Sequence, residues 1–437
     1  MRETRERFAW AVSGRIADLD AKTRRLLLER TTSSDMVVRV RVAGIIERVR
    51  REGDVALREL ANELDGVALE ELEVPKARCA RALDTLERPL RLAMERAARN
   101  IETAHAAFRP IAREVETEPG IVVGRRPDPL GRVGVYAPGG RAVYPSSVLM
   151  GAIPARVAGV GEVVLCSPPQ PDGSPSPAVL AAAALSGVDR VFALGGAGAI
   201  AAMAHGTATV PRVDRIVGPG NAYVAEAKLQ VSGSVAIDSP AGPSELLVIS
   251  DASADADLVA RELVAQAEHD PDAFVLALVV GTDAARAVAN ALETAVDAAS
   301  RQAIVAAALA ARGGVLEADN ISEAIALAND IAAEHVLVAC GAPDQVLSEL
   351  RGAGTVFVGE TSSVAFGDYM TGANHVLPTG GLARCYSGLS TLDFVRWTTY
   401  QRVDRAAAAR LADDVGVFAD AEGLRGHARA ARAWSGT

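Results

Sequence analysis

Lysine is nearly missing from this chain: Lys22, Lys76 and Lys228 are the only three, and arginine supplies the other basic residues. With a net charge of −10 and no basic stripe or aromatic-interleaved patch, the sequence offers nucleic acid no electrostatic footprint. Aromatic residues are also sparse, at 4% against 49% hydrophobic, and the abundance of Ala and Val suits α/β layers better than a β-sandwich. The four cysteines, Cys79, Cys166, Cys340 and Cys385, are far apart and form no C-x-x-C pair. That spacing excludes a disulfide scaffold and leads us to expect buried free thiols in a reducing compartment. Long apolar runs are absent too. The longest, "AFVLALVV" from Ala273 to Val280, is far short of the ~20 residues a membrane span needs. The opening "MRETRERFAW" lacks the apolar core of a secretory leader. A soluble cytoplasmic protein is expected, with no nucleic-acid and no membrane partner.

What is present is length and alternation. At 437 residues the chain can build two or three domains with their own cores. Up to about residue 110 it reads as helices, with period-3.6 apolar spacing in "VAGIIERVRREGDVALRELANEL". "GIVVGRRPDPLGRVGVYAPGG" then brings short β-branched runs cut by Gly and Pro, the signature of strands and turns. Beyond it, strand-like "EVVLCSPP", "RVFALGG", "ELLVISD", "FVLALVVG", "GGVLEAD" and "HVLVAC" alternate with Ala-rich helical stretches. Such alternation implies βαβ units and parallel sheets. The last fifty residues break the pattern and look helical and polar, an arm rather than a domain. No internal repeat recurs at a fixed period.

Two stretches invite chemistry. In "ELVAQAEHDPDAF" the apolar stripe of Val259 and Leu263 continues onto Gln266 and His269, so two polar side chains stand where a buried face is expected. Asp270 precedes Pro271, which ends the helix there. Capping of free carbonyls, or a histidine beside the helix C-terminal dipole, would explain the pair equally well. In "VFALGGAGAIAAMA", Gly196, Gly198 and Ala201 have the G-x-G-x-x-A spacing of a dinucleotide-binding turn, with Asp214 eighteen residues after Gly196. A tight βα turn in an Ala/Gly-rich chain gives the same pattern. Of the six histidines, His105 and His205 lie in plain helical settings and read as structural. His269, His335 (after Glu334), His375 in a Gly/Asn-rich loop, and His427 in the arm do not. Gln266, His269, Asp368 and His427 have the nitrogen and oxygen donors that zinc favours, although no spacing rule brings them together.

Taken in order, "GVYAPGG", "GPGNAYVAEAK", "DSPAGPSELLVISD", "QAEHDPDA", "AEHVLV", "GDYMTGANHVLPTGG", "YSGLSTLDF" and "EGLRGH" resemble histidinol dehydrogenases over nearly the whole chain. The resemblance implies an NAD-dependent zinc enzyme that oxidises L-histidinol through the aldehyde to L-histidine, consuming two NAD+. It implies one Zn2+ per subunit, held by Gln266, His269 and Asp368, with His427 contributed across a homodimer. Glu334 and His335 match the acid/base pair. Ser244, His375 and Glu422 match substrate contacts, alongside Gln266, His269, His335, Asp368 and His427, with Glu422 also supplied across the interface. Tyr136 and Asn221 match NAD contacts. A third NAD contact, usually Gln, is replaced here by Gly198, so the G-x-G-x-x-A spacing is a by-product of that replacement. A paralogue acting on another primary alcohol is the alternative, although retention of Ser244 and Glu422 favours histidinol.

The fold implied is two incomplete Rossmann-like parallel-sheet domains with an N-terminal helical part and a helical C-terminal arm. The expected division is a helical extension at 1–28, a first α/β domain from 29–135 and 245–388, a second from 136–244, and a dimerisation arm at 389–437.

Overall fold

A computed structural model describes residues 10–30, 35–139 and 143–435. Residues 1–9, on which most of the leader argument rests, therefore lie outside the described residues. In chain order the strands are β1 (Val12–Arg15), β2 (Glu73–Val74), β3 (Arg113–Glu118), β4 (Ile121–Pro129) and β5 (Arg132–Tyr136). There follow β6 (Glu162–Ser167), β7 (Arg190–Ala193), β8 (Arg215–Val217), β9 (Ala236–Ile237) and β10 (Glu245–Ser250). The last five are β11 (Phe274–Val280), β12 (Gly313–Ala318), β13 (His335–Ala339), β14 (Thr355–Val358) and β15 (Val395–Val403).

Among the described residues they form two six-stranded sheets and one of three strands. The first sheet, ordered β1-β12-β11-β10-β13-β14, is parallel throughout. The second, β2-β7-β6-β5-β8-β9, is parallel except for the two-residue edge β2. The third, β15-β4-β3, is antiparallel. β10 and β11 read as unbroken apolar runs because helices cover both faces of their sheet. Alternate residues feed separate cores: Leu246, Val248, Val275 and Ala277 on one face, Leu247, Ile249, Phe274 and Leu276 on the other. Among the described residues no helix is long and apolar enough to cross a membrane.

The expected α/β class with two parallel-sheet units is the observed one, but the cores divide the chain differently. The supposed N-terminal helical extension includes β1, an edge strand paired with β12 ahead of the short helix Ala21–Leu28. The helices from Met36 to Ala107 pack on the second sheet, not the first: Val42, Val49, Leu57 and Ile101 share a core with Val133, Leu165 and Ile200. The 135/136 boundary falls inside β5. Sequence order gives no warning of this, because an amphipathic helix fits either sheet. The arm is not wholly helical, since β15 precedes its helices Arg405–Ala421 and Arg425–Arg432. Cys79 and Cys166 are buried as expected, but Cys340 is half-buried and Cys385 exposed.

Candidate active site

The two large sheets present opposite ends to the candidate residues. In the second sheet these sit beyond the carboxyl ends of the strands. β5 is flanked by β6 on one side and β8 on the other, and such a switch point leaves a crevice where ligands of open α/β sheets bind. Tyr136 ends β5, is buried, and its hydroxyl accepts a hydrogen bond from the Gly196 N–H at 3.0 Å. Burial pushes its phenol up to about 12. Gly218 follows β8 with φ +117°, and a Cβ there would stand 2.1 Å from the Tyr136 carbonyl oxygen, so only glycine fits. Behind it Lys228, buried, donates to the Gly218 carbonyl at 3.0 Å and pairs with Asp238, whose other oxygen accepts from the Gly218 N–H at 2.7 Å. This clamp fixes the turn leading to Asn221, which is exposed and caps the helix Ala222–Val231 through the N–H groups of Tyr223 and Val224. At Gly198 an added Cβ would meet Leu60 at 3.2 Å and Leu57 at 3.7 Å, so its nearest neighbours belong to the helix Asp54–Leu60.

In the first sheet the candidates gather at the amino ends of the strands. His335 opens β13 and Glu334 precedes it; both are buried. His335 Nδ1 lies 2.9 Å from the Glu245 carbonyl oxygen, which has no proton to give. Nδ1 is therefore the protonated nitrogen and Nε2 carries the lone pair of the neutral ring. Nε2 is buried, has no hydrogen-bond partner among the described residues, and stands 3.8 Å from Asp368 Oδ1. Glu334 Oε2 accepts from the Glu245 N–H at 2.8 Å and approaches His335 Nδ1 at 3.4 Å. Burial raises the Glu334 carboxyl despite the neighbouring imidazole. Burial alone would lower His335, but the Glu334 carboxylate, then Asp368, push it up to about 9.

His375 joins the two halves. Its Nδ1 donates to the Asp368 carbonyl oxygen at 2.9 Å, and Nε2 faces Ser147 Oγ at 3.4 Å, at the start of the helix Pro145–Ala158 that follows β5. Burial holds its pKa down, so the ring is neutral, and it lies within electrostatic range of Asp368, His335 and His269. Gln266, in the last turn of the helix Ala256–Ala267, is buried at 3% exposure. His269 lies beyond that helix end and is exposed, so only one of the two polar side chains expected on the buried face is buried. Ser244, half-buried, precedes β10.

Within one chain the arm stays apart. Glu422 and His427 are exposed, and no described hydrogen bond or ion pair joins either to the other candidates. Among the described residues no three His, Cys, Asp or Glu side chains gather closely enough to hold a metal. The donor types still suit zinc: an amide oxygen at Gln266, an imidazole at His269 and a carboxylate at Asp368. A buried amide at a helix end and an orphaned buried imidazole nitrogen are polar groups that a cation or polar ligand would satisfy.

Sequence reasoning missed Glu245, Arg30 and Ser147. Glu245 Oε1 accepts from Arg30 Nε at 2.9 Å and from the Gly380 N–H at 2.8 Å. Its Oε2 accepts from the Glu334 N–H at 3.2 Å and from Arg30 Nη2 at 3.3 Å. The available signal was a charged residue opening the strand-like run "ELLVIS", just ahead of its apolar stretch.

Three comparisons bear on this geometry. The family model described as histidinol dehydrogenase matches residues 28–434. A protein named histidinol dehydrogenase from Methanosarcina barkeri is 44% identical over 96% of each chain. Another of that name, from Xanthomonas euvesicatoria, is 45% identical over 96% of this chain and 97% of its own. The crystal structure of histidinol dehydrogenase from Elizabethkingia anophelis superposes with a TM-score of 0.93 at 33% identity, covering 98% of both chains.

Proposed function

Since the chain belongs to the histidinol dehydrogenase family of oxidoreductases, we propose that it oxidises L-histidinol through L-histidinal to L-histidine, closing histidine biosynthesis in the cytoplasm. The observation that carries this reading is the tautomer of His335. Its Nδ1 proton is committed to the Glu245 carbonyl, so the unpartnered Nε2 is the atom that takes a substrate proton.

In the first oxidation His335 Nε2 removes the hydroxyl proton while hydride leaves the adjacent carbon. Tyr136 and Asn221, with Gly198 nearby, would hold NAD+, which would supply the hydride acceptor for each oxidation, two NAD+ per substrate. Between the two oxidations the aldehyde is hydrated. Glu334 draws the proton from that water; with Oε2 held by the Glu245 N–H, Oε1 is the oxygen left for the task. As water adds, His335 Nε2 returns its first proton to the aldehyde oxygen, and is then free to take the hydrate proton as the second hydride departs. Zinc, held by Gln266, His269, Asp368 and His427 of the partner subunit, would anchor the substrate's amine and imidazole and draw off the Asp368 charge that helps keep a proton on His335. Ser244, His375 and Glu422 orient the substrate, and the working unit is a homodimer.

The test is the yield of NADH per L-histidinol consumed to completion by zinc-loaded protein, with and without a chelator. Two NADH per substrate, lost with the chelator, is the expected result. NADH from another primary alcohol but none from histidinol would reassign the substrate. Amide or ester cleavage without NADH would overturn the redox reading.

A further inference from the structure

Glu334 and His335 lie at the mouth of a strand pair, where the ladder hydrogen bonds of β10 and β13 run out. The registered pairs begin with Leu246 opposite His335, so Glu245 and Glu334 face one another one position before the first pair. Strand ends fray unless their free N–H groups find acceptors. Here the two residues supply them to each other: the Glu245 N–H donates to the Glu334 carboxylate, and the Glu334 N–H donates to the Glu245 carboxylate. Such an exchange brings two carboxylates together in a buried place, which is unfavourable unless a cation balances one of them.

Arg30 is that cation. It forks onto both oxygens of Glu245, and both side chains are at most 4% exposed. Its remaining donors reach the carbonyl oxygens of Ile331 (2.7 Å) and Leu27, and its guanidinium lies over the Phe274 ring at 4.5 Å. Ile331 ends the helix that leads through Ala332 and Ala333 into Glu334. Ala332 is the only described non-glycine residue with positive φ, at +50°. The fork therefore ties the end of that helix, the strained turn and the start of β10 to one point. The fourth Glu245 bond, from the Gly380 N–H, adds the loop that follows His375.

We infer that Arg30 and Glu245 are positioning residues for the acid/base pair: Glu245 sets the Glu334 carboxylate through its N–H and the His335 tautomer through its carbonyl, and Arg30 holds Glu245 in place. This rests on the catalytic reading of Glu334 and His335 given above. Neither Arg30 nor Glu245 touches Asp368, Gln266 or His269 through any described hydrogen bond or ion pair. Their loss should therefore appear in turnover and leave substrate and metal binding in place.

The experiment compares Glu245→Gln and Arg30→Lys with the parent enzyme as full-length, zinc-loaded protein, measuring kcat, KM for L-histidinol, KM for NAD+ and zinc content. In Glu245→Gln the amide nitrogen faces donors, so one of the Glu334 and Gly380 N–H groups loses its acceptor. Misplacement of the pair should lower kcat about tenfold or more, with both KM values and zinc content within about twofold. Arg30→Lys keeps the charge and loses the fork, so kcat should fall less and in the same direction; it decides the matter if Glu245→Gln does not fold. A folded variant with parental kcat overturns the inference, as does a loss carried wholly by KM or by missing zinc. His335→Asn is run alongside: full activity there would remove the catalytic reading itself, whereas an inactive His335→Asn beside a fully active Glu245→Gln removes only the positioning role.

Discussion

Both ring nitrogens of His105 are buried, with no hydrogen-bond partner among the described residues, in the last turn of the helix Arg88–Ala107. A positive charge there would suit the helix dipole, worth at most about 1–2 kcal/mol, yet burial wins and the pKa is held below its usual value. In the folded state His105 thus binds fewer protons than in the unfolded chain. The stability linked to it is present above about pH 6.5 and is lost as pH falls through the lowered folded value. His105→Leu removes two unsatisfied groups and that linkage. It should raise stability by on the order of 1 kcal/mol at neutral pH and by more at pH 5, read as the difference between urea midpoints of variant and parent at the two values. An equal gain at both would mean that His105 titrates in the fold as it does in the unfolded chain. At this scale the sequence was partly legible. His105 could be set aside as structural because its segment carried no other chemistry, and Gln266 stood out because it interrupted an apolar stripe. Arg30 could not be recognised. One arginine among many looks ordinary until a fold brings Glu245, 215 positions away, against it.

Among the elements, the helix Ala256–Ala267 and the short helix Val364–Tyr369 carry Gln266 and Asp368 respectively, and one side chain couples them. Glu262 Oε2 accepts from the Val364 N–H at 3.1 Å, where a carboxylate also meets the positive end of the second helix. Glu262→Ala should loosen Asp368 relative to Gln266. Zinc affinity is expected to fall about tenfold, as for other residues that orient metal ligands, with the fold kept; competition with a metallochromic chelator reads it directly, and unchanged affinity would show that the two helices are held by other contacts. The elements were legible where burial imposed a period: β10, β11 and β13 as apolar runs, the long helices as stripes. β15 was missed although "VRWTTYQRV" is rich in β-branched and aromatic residues, because it lies beside helices rather than within the βαβ alternation. The packing of the helices from Met36 to Ala107 on the second sheet was beyond reach, since choice of partner is a property of the assembled cores.

For the whole molecule the arm raises the question of assembly. Its helices and the turn between them expose Val415, Val417, Phe418 and Leu424, with Trp434 half in solvent, a concentration of apolar surface uncommon on a free monomer. Glu422 and His427 lie among them, remote from His335 by any described contact. If a homodimer lays this arm over its neighbour, each active site is composite, and two different defects placed on separate chains must complement. His427→Ala and His335→Asn should each be inactive as homodimers. Mixed, unfolded together and refolded, they give heterodimers in which one site has both lesions and the other has none. With random pairing, half of the dimers are mixed and half of the sites in those are intact, so about a quarter of the parental activity should return. Supply of His427 within its own chain predicts none, because every site would then keep one lesion.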